Sequence, residues 1–258
     1  MYKRQIKELD SYKKALEING VDVYELDSVP NCNQIFARDI GFVIGDYFFV
    51  SNILPLRHKE INGLNSMIKK IDNSKIVKLN TNIHIEGGDI ILDNDYIFVG
   101  YYNKDDYEKQ ITARTNLNAV KFLQKKFTNK KVKAFELRKS IADPSKNALH
   151  LDCCFQPVSR DKAVVCREAF ANKIEFNFLM SYYGQENIFE LTLDEMSKLY
   201  CNFLSISENT VITDKRFKRL TNWFDEIGLN VEKIDFSEIS KLGGLFRCCT
   251  LPLIRENN

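Results

Sequence analysis

The chain has 258 residues, 44% hydrophobic and 28% charged, with 37 Lys and Arg against 35 Asp and Glu, which is long enough to bury a sizeable core. A net charge of +2 with the lysines scattered among acids argues against a dedicated nucleic-acid or membrane-surface protein, whose basic residues gather in a stripe. No apolar run approaches the roughly 20 residues of a bilayer span, the N-terminus lacks the apolar stretch of a signal peptide, and the seven cysteines show no C-x-x-C spacing. A cytoplasmic protein with reduced thiols, no disulfide framework and no metal site is therefore expected.

In chain order, Gln5 to Asn19 carries apolar residues at a helical period and stops at Gly20, as a helix C-terminus should. Val21 to Leu26 reads as a strand. Two apolar runs around Gly45-Asp46, from Phe42 to Val50, predict a hairpin; a helix over His58 to Ile71 and a strand over Lys75 to Leu79 complete the unit. The order recurs. A second hairpin over Asp89 to Val99 precedes a helix near Asn116 to Phe127 and the strand Lys131 to Leu137. A third, over Cys153 to Cys166, precedes a helix and the strand Asn187 to Leu191. A fourth, over Phe203 to Thr213, precedes the helix Phe217 to Ile227 and the strand Asn230 to Ile234.

Four hairpin-helix-strand units spaced by about 50 to 65 residues indicate a repeat architecture. A fifth unit is split across the ends of the chain: Phe246 to Ile254 supplies its hairpin, and the first helix with Val21 to Leu26 supplies the rest. Such a joint closes a ring and removes exposed sheet edges. No linker or low-complexity tract interrupts the chain, so residues 1–258 are expected to form a single domain.

Chemistry is expected near the C-terminal end, in Leu242-Gly-Gly-Leu-Phe-Arg-Cys-Cys-Thr-Leu-Pro-Leu-Ile-Arg255. The Gly-Gly pair permits close backbone approach, and the run after it reads as a strand, on which only one of Cys248 and Cys249 can face a given pocket. Both thiols can equally be small buried hydrophobes. Elsewhere the apolar pattern breaks where hairpins begin: Phe36-Ala-Arg-Asp39 before the first, His84-Ile-Glu-Gly-Gly-Asp89 at the second and His150-Leu-Asp152 at the third. Each has an ordinary explanation: Asp39 can pair with Arg38 or cap a turn, Gly87-Gly88 can be a bulge, and a lone histidine can be structural. If the units radiate from an axis, however, Asp39, Glu86, Asp89, His150 and Asp152 converge near Cys248.

These four motifs, in this order from Phe36 to Thr250, resemble the guanidino-modifying enzymes of the pentein fold: dimethylarginine dimethylaminohydrolases, arginine deiminases and amidinotransferases. The resemblance implies a five-bladed α/β propeller with pseudo-five-fold symmetry, in agreement with the repeat count. It implies Cys248 as nucleophile, His150 as general acid/base and Glu86 as the carboxylate beside the catalytic centre. It also implies Asp39 and Asp152 as the acids that hold the guanidinium, with Phe36 and Asp89 in the substrate pocket. Arg57 and Arg114 look like the arginines that bind the substrate α-carboxylate in the dimethylarginine branch. Family members usually begin with a strand before the first helix, whereas only about four residues precede it here, so either the closing blade is a strand short or the chain starts later than is typical.

The chemistry suits these residue types. A guanidinium is planar and permanently charged, and carboxylates that take bidentate hydrogen bonds from it fix its plane. A thiolate then attacks the central carbon while histidine protonates the departing amine. A small-molecule guanidinium substrate such as arginine or a methylated arginine is expected, with no cofactor, nucleic acid or membrane partner; monomer and homodimer both stay open. Arginine deiminase or dihydrolase and amidinotransferase activity are alternatives within this chemistry. A non-catalytic propeller that binds a partner is the alternative outside it. Clustered acids without a cation repel one another, so at least one should have a raised pKa.

Overall fold

The computed structural model describes residues 2–255. Four three-stranded sheets account for its strands, each an antiparallel hairpin with a third strand parallel to the hairpin's second arm. They comprise β1 (Gly41–Ile44), β2 (Tyr47–Val50) and β3 (Ile76–Lys78); β4 (Ile90–Asp93), β5 (Tyr96–Tyr101) and β6 (Lys131–Glu136); β7 (Phe155–Val158), β8 (Lys162–Val165) and β9 (Ile188–Glu190); and β10 (Leu204–Ser205), β11 (Thr210–Asp214) and β12 (Asn230–Ile234). The repeat read from the sequence is thus present four times. Pairing of Ile44 with Tyr47 leaves Gly45-Asp46 as a two-residue turn, with Gly45 at φ 57°, the left-handed conformation that such turns require.

Helices cross from second to third strand: α3 (Leu117–Lys126) in the second unit, α4 (Lys173–Tyr183) in the third and α6 (Lys218–Glu226) in the fourth. The first unit departs from expectation. Its connection is a 3-10 helix over Pro55–Leu64 and a single α turn, α2 (Asn65–Ile68). Asn62-Gly63 weakens α propensity, and Gly63 has no room for a side chain against Gln34 and the carbonyl of Asp27. In a 3-10 helix residues i and i+3 eclipse, and this stacks Arg57 on Glu60. A short helix absent from the initial reading, α5 (Leu193–Ser197), starts at a capping box in which Thr192 and Glu195 satisfy each other's backbone N–H.

The split fifth unit brings the chain ends together without the expected strands. Residues 21–26 run without strand pairing, and the expected hairpin over 246–254 is instead a turn over residues 246–249 followed by irregular chain. Cys249 N–H donates to Leu245 O and Thr250 N–H to Arg247 O, while Thr250 Oγ1 donates back into the same turn. Pro252 has no N–H with which to continue a ladder. Contact between the ends comes through α1 (Tyr2–Ile18). Tyr12 Oη donates to Phe246 O at 2.8 Å, and its ring lies 5.4 Å from Phe236 and 5.1 Å from Phe246. The buried Glu8 carboxylate accepts the N–H groups of Glu238 and Ile239 at 3.0 and 2.9 Å. Glu8→Ala would strand both donors, so a loss of about 1–3 kcal/mol in denaturant unfolding is expected. A loss below about 0.5 kcal/mol, the range of an ordinary surface substitution, would show that the joint does not depend on this carboxylate.

Phenylalanines fill the core between the second and third sheets. Phe98, Phe135 and Phe155 are fully buried, with centroids 5.4 to 6.2 Å apart, distances at which tilted and edge-to-face rings attract. Neighbouring units are laced together by single bridges, Asn52 to Ile85 and Leu137 to Phe170.

Candidate active site

Units two and three build their polar residues in the same way. Glu86 and His150 are each extended, and each is followed at once by a three-residue 3-10 turn, Gly87–Asp89 and Leu151–Cys153, that leads into the hairpin. His150 and Asp152 therefore do not share a strand face, as their spacing suggested; the turn carries both to the site. In the first unit Asp39 closes a turn on Phe36 O just ahead of β1. Cys248 sits on the turn over residues 246–249 rather than on a strand, so turn geometry separates it from Cys249. Cys248 is buried, while Cys249 is only partly so.

The glycines are needed for close approach. A Cβ on Gly88 would lie 2.8 Å from the His150 ring, and one on Gly244 would lie 2.5 Å from Phe36 and 2.9 Å from the Cys248 Cβ. Phe36 and Cys248 thus both pack against Gly244. The main chains of the two ends are joined here: Arg38 N–H donates to Cys248 O at 3.0 Å, and Arg38 Nε donates to Arg247 O at 3.3 Å. Arg38 does not pair with Asp39.

Three of the predicted residues are in direct contact. His150 Nε2 lies 2.8 Å from Glu86 Oε2, and His150 Nδ1 lies 3.8 Å from Asp39 Oδ1. Glu86 also accepts Arg114 Nη1 at 3.0 Å and the N–H of Leu54 at 3.2 Å. Arg57 donates through Nη1 to Asp39 at 2.6 Å and through Nε and Nη2 to Glu60. Both arginines are thus part of the cluster, each tied to one of its acids. Asp89 Oδ1 accepts Leu151 N–H at 2.9 Å, which ties it to the turn that carries His150 and Asp152, while its Oδ2 is buried and accepts no hydrogen bond. Asp152 Oδ2 lies 3.3 Å from Arg247 Nε without hydrogen-bond geometry, and Asp39 Oδ1 and Asp152 Oδ2 are buried carboxylate oxygens with no hydrogen-bond partner.

The electrostatics follow from this packing. Burial pushes the Asp152 and Asp89 carboxyls above the usual range, against the pull of Arg247 on the first and of His150 on the second. Burial works against charge on His150 too, but the Asp39 charge and the hydrogen bond to Glu86 overcome it and raise the ring to about 9. Glu86 is opposed by burial as well, yet its bond to His150 and the Arg114 charge bring it down to about 2. Burial, then Asp152, Cys153 and Asp39, push the Cys248 thiol up.

The linkage sign is fixed by these directions. His150, raised from 6.5, contributes stability that is complete below that value and is lost as pH rises through about 9. Glu86, lowered from 4.5, contributes stability present above that value and lost as pH falls through about 2. Thermal stability should therefore fall on the alkaline side as His150 loses its proton, and His150→Asn should flatten that limb. An alkaline limb of the same depth in the variant would show that another group causes it.

Three further residues join the site without standing out in the sequence: Asn202, Arg247 and Glu60. Asn202 Nδ2 donates to Cys248 Sγ at 3.1 Å. Its signal was available: Asn202 stands two residues before β10, as Asp39 stands two before β1, at the hairpin start where the other units place acids and histidine. The ligand atoms of Asp39, Glu86 and His150 lie within 4.8 Å of one another, as do those of His150, Asp152 and Cys153. Either set can in principle hold a cation, though Arg114 and Arg57 already neutralise Glu86 and Asp39. Clefts of about 210 Å³ beside Tyr102 to Asn118 and about 360 Å³ beside Glu17 to Tyr24 are not lined by any of these acids, His150 or Cys248.

Comparison with known proteins places the chain, with its small three-stranded sheets, among the guanidino-modifying enzymes of the pentein superfamily, hydrolases acting on guanidino C–N bonds. Residues 1–255 match the family described as N,N dimethylarginine dimethylhydrolase, eukaryotic, and the chain belongs to that family. It is 32% identical over 246 residues to the uncharacterized protein YkgA of Bacillus subtilis (strain 168), covering 94% of this chain and 77% of that one. To an arginine deiminase of Bacillus cereus (strain B4264) it is 25% identical over 281 residues, covering 91% of this chain and 64% of the deiminase. In structure it is similar to the N-terminal domain of ArgZ, a cyanobacterial arginine dihydrolase bound to product, with a TM-score of 0.81 at 18% identity over 97% of this chain and 86% of that one. It is likewise similar to a dimethylarginine dimethylaminohydrolase from Pseudomonas aeruginosa complexed with citrulline, with a TM-score of 0.75 at 17% identity over 95% and 86%. Among the described residues, no helix is long and apolar enough to cross a membrane.

Proposed function

We propose that this protein hydrolyses the guanidinium group of an arginine-type substrate, in the manner of a dimethylarginine dimethylaminohydrolase, through a covalent intermediate on Cys248. The observation that carries the reading is that Asp39 Oδ1 and Asp152 Oδ2 are, with Asp89 Oδ2, buried carboxylate oxygens that accept no hydrogen bond, in a cluster whose charges bear on both Cys248 and His150. A buried acceptor without a partner costs about 1–3 kcal/mol, and a planar cation with several N–H donors removes that cost at both sites together. The same cation favours the Cys248 thiolate that burial disfavours, the thiol proton passing to solvent as the cation binds.

Sulfur then attacks the guanidinium carbon, the C–N bond to the leaving amine breaks, and protonated His150 supplies the amine's proton. Water next adds to the thiouronium carbon and gives one proton to His150; the C–S bond breaks, its electron pair returns to sulfur, and the remaining hydroxyl proton passes to the released amine, leaving a neutral citrulline-type product and an ammonium-type cation. His150 Nε2 is held by Glu86, so Nδ1 is the nitrogen left to serve the reacting groups. The Arg57 and Arg114 side chains are 19% and 12% exposed, while those of Asp39, Glu86 and His150 are at most 5%. This gradient suits a substrate whose guanidinium lies inside and whose α-carboxylate meets the two arginines at the mouth. The joined chain ends, with α1, residues 21–26 and the turn over residues 246–249, serve in this reading as a reduced fifth blade of a single catalytic domain, and seven free thiols suit a cytoplasmic setting.

A mass-spectrometric assay offering arginine, dimethylarginine and agmatine separately tests the proposal. Release of citrulline with loss of an alkylamine identifies the dimethylarginine branch, and release of ammonia from arginine the deiminase or dihydrolase branch. If the two arginines bind a carboxylate, agmatine should show a KM raised at least about tenfold, one charge-assisted contact being worth about 1.5–3 kcal/mol. A non-catalytic binder would turn over none of the three.

A further inference from the structure

Asn202 is fully buried, and every polar atom of its amide is committed. Its Oδ1 accepts the N–H groups of Leu245 and Cys248 at 2.9 and 3.2 Å, and its main-chain carbonyl accepts Arg247 N–H at 3.4 Å. Two N–H groups facing one end of an amide fix which end is oxygen. The NH₂ end therefore points at sulfur, 3.1 Å from Cys248 Sγ. A thiol is a weak acceptor for such a donor and a thiolate a strong one, so the contact favours the state in which sulfur carries charge.

We propose that Asn202 is a catalytic residue of the Cys248 reaction, its amide N–H stabilising the thiolate both when sulfur attacks the guanidinium carbon and when sulfur departs from the thiouronium. This rests on Cys248 being the nucleophile. The donor matters because burial and the acids Asp152 and Asp39 act against charge on sulfur. It also completes a regularity of the repeat, since the fourth unit, like the first three, delivers a polar side chain from the residues just ahead of its hairpin.

The test uses the full chain and two variants. Asn202→Asp keeps an acceptor for Leu245 and Cys248 N–H but replaces the donor with oxygen; Asn202→Ser removes the amide without adding charge. Iodoacetamide alkylation of Cys248, followed by peptide mass mapping across pH, reads the thiolate without any substrate, and steady-state kinetics read turnover. In both variants the alkylation midpoint should move upward by about one unit or more, and kcat should fall about 10²–10³-fold, the usual effect of losing one donor to a developing anion, while KM changes little.

A role limited to tying the turn over residues 246–249 predicts that Asn202→Asp melts normally and leaves both the midpoint and kcat unchanged, which would overturn the proposal. A shift in Asn202→Asp with none in a folded Asn202→Ser would mean that added charge alone is felt, and would overturn it as well. Because alkylation needs no turnover, failure of the nucleophile assignment shows separately, as activity retained after removal of the Cys248 thiol.

Discussion

Cys248→Ala is expected to eliminate turnover of the arginine-type substrate, lowering kcat/KM by at least about 10³-fold, while the variant stays folded. The intermediate is a bond to this sulfur and not to that of Cys153, the other thiol beside His150 and Asp152. Cys249 is next in sequence, but the turn sends it toward the partly buried rim of the main core, and Cys249→Ala should retain most activity. The stability cost of losing one small buried group is about 1 kcal/mol. Thermal melting together with progress curves separates the two effects. A folded Cys248→Ala enzyme that still turns over would remove the covalent mechanism.

His150→Asn is expected to lower kcat about 10²–10⁴-fold. Several contacts hold this ring for acid/base work: Glu86 fixes Nε2 at 2.8 Å, Asp39 lies 3.8 Å from Nδ1, and Gly88 leaves room for the ring face. With the ring raised to about 9, the enzyme meets its substrate at neutral pH with the imidazolium already formed, the state that the departing amine needs. Activity in the wild type should accordingly decline as pH rises through that value. Measurement of kcat across alkaline pH checks this, and a His150→Asn variant with wild-type kcat and the same alkaline decline would show that the proton comes from elsewhere.

Period-2 apolar runs bounded by turn residues made the four hairpins legible in the sequence, because alternation and turn chemistry are local properties. Asp39, Glu86 and His150 could be associated because they recur at the same place in the repeat. The fifth unit was misread for a physical reason. The Phe246 to Ile254 run has the composition of a strand, but its backbone bonds close onto Leu245 and Arg247, and Pro252 cannot extend a ladder. The first-unit helix was misread because α and 3-10 periods are close over two turns, and only the Arg57–Glu60 stack and the crowding at Gly63 select the tighter form. Asn202 escaped notice because a neutral amide breaks an apolar pattern less visibly than an acid. A sequence cannot show that one oxygen of Asp89 also holds the backbone of Leu151.

The central claim is that a sulfur at one end of the chain reaches a guanidinium carbon held by acids from earlier units. Acid quenching of the enzyme during turnover of guanidino-labelled arginine or dimethylarginine, followed by peptide mass mapping, tests it most directly. A labelled amidino adduct on the peptide carrying Cys248, absent from Cys248→Ala, is the predicted result; active turnover with the label on another residue, or with no adduct trapped at any quench time, would contradict it.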